Sequence, residues 1–259
     1  MSAPVVATLL RSTTARAALR RGLPRGRVWL APCRSVAALE RCVATRCVDA
    51  VVVDVRLPGA AAGLVRLRKR FPTVPRFAYA AFRPDDADLL ILCVHEAAAH
   101  PIVEGVEDAV AWDLILPRTA SAVRLGALEG APRILRLTDD LQLRAWGVVL
   151  RGVAGPLRTA AVARTLGVSR EHLSRQFGAG GAPNLKRVID LARTATVADL
   201  LANPGYSVRA VAGILGFVSA SHLAGASRRI AGVTARHLPE LGTRGVLAAF
   251  VRGRTRSRT

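Results

Sequence analysis

Arginine is the most abundant charged side chain in this sequence and the one best placed to bind anions. The chain has 259 residues, of which 38 are basic and 18 acidic, so its formal net charge is +20. All the basic residues except Lys69 and Lys186 are arginines, whose guanidinium groups donate hydrogen bonds in a planar fork that matches phosphate oxygens. Residues 141–259 hold 18 basic and 4 acidic residues. We therefore expect this half to attract a polyanion.

The four cysteines show no pattern that would bind a metal. Cys33, Cys42, Cys47 and Cys93 form no CxxC pair, and structural zinc sites usually contain such closely spaced ligands. We expect buried free thiols in a reducing cytoplasm. The sequence indicates no cofactor.

The first half of the chain alternates short apolar stretches with helical patterns. Strands are predicted at Pro4–Leu10, Arg27–Pro32, Val48–Val55, Val74–Phe82 and His100–Glu104. Helices are predicted at Thr13–Leu23, Ser35–Arg46, Ala61–Phe71, Asp85–Ala99 and Glu107–Leu116. This alternation predicts an α/β fold with a doubly wound parallel sheet. An alternative places the fifth strand at Asp113–Pro117.

One carboxylate, Asp54, stands at the end of the most apolar predicted strand, and functional groups gather at such strand ends in parallel sheets. The segment Val51–Gly59 resembles the third strand and following loop of response-regulator receiver domains, over about residues 3–116. In that family the aspartate accepts a phosphoryl group. The resemblance therefore implies Asp54 as the phosphoacceptor.

Three segments depart from the receiver pattern. A working receiver has an acidic pair that binds Mg²⁺ after the first strand, a hydroxyl after the fourth and a lysine after the fifth. The corresponding segments here are Leu10–Arg11–Ser12, Ala80–Ala81–Phe82 and Val103–Glu104–Gly105. Without a divalent ion nothing neutralises the charge of the phosphoryl group in transit. We interpret the domain as a degenerate receiver in which Asp54 is structural, with phosphorylation as the alternative.

The second half contains two arrangements of a short helix, a glycine turn and a serine-capped helix. Each arrangement is typical of a helix-turn-helix. The first consists of helix Thr159–Leu166, turn Gly167–Val168, cap Ser169 and helix Arg170–Phe177. The second consists of cap Ser207, helix Val208–Leu215, turn Gly216–Phe217, cap Ser219 and helix Ala220–Ala231.

A continuous amphipathic helix is predicted between the two arrangements, at Asn184–Ala202. At 1.5 Å per residue it would be about 28 Å long. Successive major grooves of a DNA duplex recur at about 34 Å. A stiff helix of this length is compatible with placing two helix-turn-helix units in neighbouring grooves.

These motifs resemble a known family of regulators. Ala163–Phe177 and Ser207–Phe217 look like the first and second helix-turn-helix of AraC-type transcriptional regulators, and Gly232–Val233–Thr234 resembles the start of that family's closing helix. The resemblance covers about residues 141–240. It implies an all-helical, bipartite DNA-binding domain, double-stranded DNA as the partner and a role in transcription regulation.

In the first helix-turn-helix, the resemblance assigns base contacts to Glu171, Ser174 and Arg175. Arg175 can donate two hydrogen bonds to a guanine edge, and Glu171 can accept one from the amine of cytosine. Arg170 and Gln176 are expected at phosphates or flanking positions.

In the second helix-turn-helix, the family's long polar side chains are missing. Small residues stand at the matching positions Ala220, Ser221, Ala224 and Gly225, and Ser227 replaces an aromatic core residue. The remaining candidates for contact with DNA are Ser219, Ser221, His222, Arg228 and Arg229. Phosphate contacts give affinity without sequence choice. We expect the first helix-turn-helix to read bases and the second mainly to clamp the backbone.

The predicted domain organisation has four parts. A degenerate receiver-like domain covers residues 1–117 and a linker residues 118–138. The bipartite DNA-binding domain covers residues 139–242, and an Arg-rich tail covers residues 243–259. The end of the tail, Arg252–Thr259, is either a solvated disordered segment or a non-specific DNA arm.

Other functional classes find less support. The sequence has no Gly-x-Ser-x-Gly elbow and lacks the receiver's metal ligands, so we predict no enzyme. No apolar stretch is long enough to span a membrane, which favours a cytoplasmic protein. RNA polymerase, and a second copy bound through the N-terminal domain, are further candidate partners. The alternatives are an interaction scaffold with degenerate helix-turn-helix units, a nucleoid-type DNA packager, and a response regulator controlled by phosphorylation of Asp54.

Overall fold

The computed structural model describes residues 3–11, 13–22 and 28–256. The chain divides into two compact units, and the boundary between them falls inside a helix, between Val123 and Arg124. We call them the sheet domain and the helical domain. No helix among the described residues is long and apolar enough to cross a membrane.

The sheet domain contains a fully parallel sheet, which confirms the predicted α/β fold. Within the described residues the strands are β1 (Val5–Leu9), β2 (Trp29–Pro32), β3 (Ala50–Asp54), β4 (Arg76–Ala80) and β5 (His100–Val103). Their spatial order is β2-β1-β3-β4-β5. The chain thus builds outward from β1 in one direction and then in the other, as a doubly wound sheet does.

Helices connect these strands. They are α1 (Thr13–Arg21), α2 (Val36–Thr45), α3 (Ala60–Arg70), α4 (Ala87–Ile91) and α5 (Ala111–Ile115), followed by α6 (Ala120–Ala127) at the domain boundary. Every residue of β3 and β4 is buried, since these strands lie inside the sheet and are covered on both faces. The apolar core beside them includes Val52, Phe77, Ile102 and Trp112.

Three predictions for the sheet domain need correction. The predicted helix Asp85–Ala99 is a 3₁₀ turn followed by α4 and a π-helical segment, Leu92–Glu96. The alternative fifth strand at Asp113–Pro117 is wrong, because that segment lies in α5 and a 3₁₀ turn. The helix predicted to start at Glu107 starts later. The carboxylates of Glu107 and Asp108 instead accept backbone N–H bonds that close a turn after β5.

The helical domain is all-α in its described residues, as predicted. Its further helices are α7 (Ala131–Leu135), α8 (Asp140–Gly152), α9 (Thr159–Leu166), α10 (Arg170–Gly178), α11 (Leu185–Leu201), α12 (Val208–Ile214), α13 (Ala220–Ala231) and α14 (Leu238–Arg256). The segment predicted to be an Arg-rich tail is therefore helical as far as Arg256. The backbone of α14 is kinked at Gly242, and the buried side chains of Val246, Leu247 and Phe250 hold the part after the kink as a helix.

Helix α11 is the centre of this domain. It packs against α8, α12, α13 and α14, and twelve of its seventeen residues are buried. The sequence predicts an amphipathic helix here, whereas the structure buries it on nearly every side. Small residues such as Ala192, Ala195 and Ala198 allow neighbouring helices to approach it closely.

A carboxylate near the end of α11 ties three helices together. Asp199 accepts a hydrogen bond from Nε of Arg124 at 2.6 Å and another from Oγ1 of Thr243 at 2.7 Å. Arg124 lies on α6 and Thr243 on α14. The side chain of Arg124 is only 6% exposed, so loss of its charge removes a close, favourable interaction from the partly buried carboxylate of Asp199.

We expect Arg124→Met to destabilise the helical domain. Removing one partner of a partly buried ion pair should lower the free energy of unfolding by about 1–3 kcal/mol. Arg144→Met is the matched control, since Arg144 pairs with Asp140 on an exposed helix face and should cost less than about 0.5 kcal/mol. Urea unfolding of the full chain, followed by circular dichroism, measures both. Equal losses in the two variants would contradict the structural role of Arg124.

Candidate nucleic-acid interface

The first helix-turn-helix is formed by α9 and α10. Gly167 ends α9 in the left-handed region, with φ of 68°, and its N–H bonds back into the helix. Ser169 caps α10, and its Oγ accepts the backbone N–H of His172 at 3.1 Å. The turn and the cap fix the direction in which α10 leaves α9.

Helix α10 separates a buried side from an exposed one. Leu173 and Phe177 are fully buried and hold the helix to the domain. The remaining candidate side chains are Arg170, Glu171, Ser174 and Arg175, which are exposed, and Gln176, which is half-buried. The backbone oxygen of Gln176 accepts a hydrogen bond from Nε2 of Gln142 at 2.7 Å, so α10 is also anchored to α8. The exposed side of α10 is therefore a surface of donors and acceptors on a fixed helix.

The second helix-turn-helix repeats this construction with α12 and α13. Ser207 caps α12, and Ser219 caps α13 by accepting the N–H of His222 at 3.1 Å. Gly216 adopts φ of 65°, and a Cβ at this position would lie 2.9 Å from Cβ of Pro156. The turn requires glycine both for its backbone conformation and for the space beside Pro156.

The exposed side of α13 carries mostly small side chains. Ser221, His222 and Gly225 are exposed and Ala224 is half-buried. Nothing lies within 4 Å of a Cβ built on Gly225. Long basic side chains appear only toward the end of α13, at Arg228 and Arg229. This arrangement leaves α13 with few groups that reach away from the helix.

Two of the candidate residues on α13 have neighbours within the domain. Nη2 of Arg229 lies 3.5 Å from Oδ2 of Asp190 on α11, while Arg228 is exposed. The ring of His222 packs edge-on against Phe217, with centroids 5.8 Å apart. Ser227, which replaces an aromatic core residue of the family pattern, is buried, and its Oγ donates to the Leu223 oxygen at 3.0 Å.

Arg193 is a positioning residue that the sequence patterns do not identify. It lies in the middle of α11 and is buried. Its Nη2 donates to the Leu215 oxygen at 2.7 Å, and its guanidinium lies 3.9 Å from the ring centroid of Phe217. Both partners flank Gly216, so Arg193 holds the second turn against the central helix. Burial lowers the pKa of this guanidinium. A charged residue inside an otherwise apolar helical stretch is the signal that could have revealed it.

Asp54 lies at the carboxyl end of the sheet, as predicted. It is buried, its Oδ1 accepts the backbone N–H of Arg56 at 3.1 Å, and its Oδ2 lies 3.5 Å from Nε of Arg11. Arg11 follows β1, where a receiver carries its acidic pair. Ser12, the last residue of that predicted segment, lies outside the described residues.

The residues around Asp54 do not fit the Mg²⁺ of a working receiver. A cation, Arg11, takes the place of a carboxylate ligand beside Asp54. Ala80 ends β4 and offers no hydroxyl, and Glu104 follows β5 in place of lysine. Within the described ranges no group of three histidine, cysteine or carboxylate side chains can hold a metal ion.

Two glycine turns, two serine-capped helices and a shared central helix define a helix-turn-helix domain. Residues 162–240 match the family model described as a helix-turn-helix domain, which is of the AraC type. The match confirms the predicted resemblance for this part of the chain. No curated protein sequence matches the chain.

Two solved structures are similar to this chain. The signal receiver domain of an HD domain-containing protein from Pseudomonas fluorescens Pf-5 has 17% identity and a TM-score of 0.42, covering 46% of this chain and 88% of that one. Full-length FixJ from B. japonicum has 16% identity and a TM-score of 0.40, covering 88% of this chain and 97% of that one.

The two turn glycines should differ in their tolerance of alanine. Gly167→Ala forces a left-handed alanine into open space and should cost about 1–2 kcal/mol of unfolding free energy. Gly216→Ala should cost more, because the new methyl group also displaces Pro156. Gly213→Ala, in α12 with open space around it, should be neutral or stabilising by up to about 1 kcal/mol. Chemical unfolding of the three variants measures the order, and a larger loss for Gly167→Ala would contradict the packing of Pro156.

Proposed function

We propose that the protein is a sequence-specific, DNA-binding transcriptional regulator of AraC type. The observation that carries the proposal is the attachment of two helix-turn-helix units to one buried helix, α11. This helix has seventeen residues, or about 25 Å at 1.5 Å per residue. That length is compatible with placing α10 and α13 in successive major grooves, which recur at about 34 Å.

The first helix-turn-helix reads bases in this proposal. Arg175 and Glu171 are exposed on α10, and both are long enough to reach base edges. Arg175 would donate to O6 and N7 of a guanine, and Glu171 would accept from the amine of a cytosine. Ser174 lies on the same exposed side. Arg170 and Gln176 lie at positions suited to phosphates or flanking bases.

The second helix-turn-helix mainly clamps the DNA backbone. Its smooth helix can approach the duplex closely, and Ser221 and His222 are the exposed polar groups near its start. Arg228 and Arg229 supply charge for phosphates, and Oδ2 of Asp190 lies 3.5 Å from Nη2 of Arg229. Ser219 contributes its backbone, since its hydroxyl already caps α13. Such contacts orient a protein on DNA without selecting sequence.

The remaining assignments complete the proposal. A receiver-like domain (1–117) and a linker (118–138) precede the DNA-binding part (139–242), with an Arg-rich tail after it. In this proposal the protein acts in the cytoplasm on double-stranded DNA and is not an enzyme. RNA polymerase and a second copy, bound through the sheet domain, are the proposed protein partners.

The two main alternatives meet specific objections. Gly225 and Ser227 are the residues that favour a scaffold with degenerate helix-turn-helix units, yet the hydroxyl of Ser227 is satisfied inside an intact helix. Phosphorylation of Asp54 lacks the residues for its metal, and Arg11 lies beside the carboxylate instead.

Selection of bound fragments from a random DNA pool tests the proposed readout. The wild-type chain should select a sequence with one well-defined half. Arg175→Ala should lose preference at one base pair, corresponding to about 1–3 kcal/mol. Arg228→Ala is the control, since loss of a phosphate contact should weaken binding to all sequences and lower the salt dependence by about one counterion. If Arg175→Ala weakens binding to all DNA sequences equally, Arg175 does not read a base. If the wild-type chain selects no DNA sequence, the result favours a scaffold or a nucleoid-type packager.

Asp54→Asn should leave DNA affinity unchanged. Asparagine retains the oxygen that accepts the N–H of Arg56, so the loop after β3 keeps its hydrogen bond. Binding of the selected DNA fragment by wild type and variant measures the effect. Incorporation of phosphate from acetyl phosphate into wild type but not into Asp54→Asn would restore the phosphoacceptor hypothesis.

A further inference from the structure

Two cysteines of the sheet domain lie side by side. Cys33 follows β2 directly, Cys42 lies on α2, and the two thiols line the same groove, close enough for each to shift the pKa of the other. Both residues are half-exposed, which corrects the expectation of four buried thiols. Cys47 and Cys93 are buried as expected. Nine positions separate Cys33 from Cys42 in the sequence, so only the return of the chain from β2 into α2 brings them together.

The two thiols line one groove at the edge of the sheet. The groove has a volume of about 540 Å³ and runs between β2 and α2. Trp29, which is 64% exposed, forms part of its apolar wall. Arg34, Arg41 and Arg46 lie around it and are exposed. A small molecule can therefore reach both sulfur atoms from solvent, in surroundings rich in cationic donors.

The surroundings favour the thiolate form of one partner. The adjacent Cys33 thiol, together with the nearby charge of Arg46, lowers the pKa of the Cys42 thiol to about 7. The same pairing raises the pKa of Cys33, which keeps the proton. The Ala31 oxygen, 3.7 Å from Sγ of Cys33, is a second acceptor for that proton. Burial raises the pKa of Cys93, so that thiol is unreactive by contrast.

We propose that Cys33 and Cys42 form a redox site that reduces small hydroperoxides and closes into a disulfide. Cys42 is the attacking thiolate and Cys33 the resolving thiol. The proposal does not depend on DNA binding. It makes the sheet domain responsive to hydroperoxide without the incomplete receiver site around Asp54.

The reaction balances in two steps. The Cys42 thiolate attacks the terminal oxygen of the hydroperoxide, the S–O bond forms and the O–O bond breaks, and the leaving oxygen takes a proton from solvent to become the alcohol, or water. The Cys33 sulfur then attacks the sulfenic acid of Cys42. The S–S bond forms, the S–O bond breaks, and the departing hydroxide takes the proton of Cys33 as water. Two thiols are oxidised and one hydroperoxide is reduced.

Hydrogen peroxide titration of the reduced full chain tests this assignment. Free thiols are counted under denaturing conditions, and the bridged peptides are identified by mass spectrometry. Wild type should lose two of its four thiols to a bridge between Cys33 and Cys42. The rate should rise as pH increases through about 7, because only the deprotonated Cys42 attacks.

Single substitutions separate the two roles. Cys33→Ser should stop at a sulfenic acid on Cys42 that dimedone traps, whereas Cys42→Ser should slow peroxide consumption about tenfold or more. Cys47→Ala is the matched control and should still form the bridge. Oxidation that is unchanged in Cys42→Ser, or a bridge that involves Cys47 or Cys93, would overturn the proposal.

Discussion

The enclosure of α11 is the constraint on which the helical domain depends. An α-helix buried on nearly every side has little freedom to tilt or slide, because each movement opens a gap in several interfaces at once. The guanidinium of Arg193 attaches the turn before α13 to α11. Asp199, near the C-terminal end of α11, bonds to α6 and α14. The spacing of the two serine-capped helices is thus set by packing in the core.

The exposed sides of α10 and α13 carry different side chains. Long polar side chains extend from α10, while α13 presents alanine, serine and glycine before its two arginines. α10 and α13 each begin with a serine cap and each follow a glycine turn. The difference therefore concerns recognition chemistry and not folding.

Beside Asp54, an arginine stands where a receiver carries carboxylates. A receiver draws its metal with clustered carboxylates, whereas Arg11 here meets Asp54 with a fixed positive charge. The sheet keeps the parallel order that places these groups together. The strand ends meet at one edge of the sheet, but the segments that follow β1, β4 and β5 lack the acidic pair, the hydroxyl and the lysine that a receiver uses there.

Local signals account for what the sequence predicts well. The bounds of α9 and α13 agree with the prediction because glycine turns and serine caps lie next to them in the chain. The five strands follow from apolar stretches separated by helical patterns. Contacts between distant segments could not be found in this way, including the cation–π contact of Arg193 with Phe217 and the pairing of Cys33 with Cys42. The sequence did not predict the burial of α11, because Arg193 and Asp199 look like residues of an exposed face until their partners on other helices are known.

The structure can accept a larger side chain at Gly225, on the exposed side of α13. Its backbone is ordinary helix, and no neighbour fills the space where a side chain would begin. Glycine in a helix interior costs about 1 kcal/mol relative to alanine, so the position gains stability from almost any replacement. Under the proposed function, a single substitution there adds a side chain that can reach a base edge, without rebuilding the scaffold beneath it.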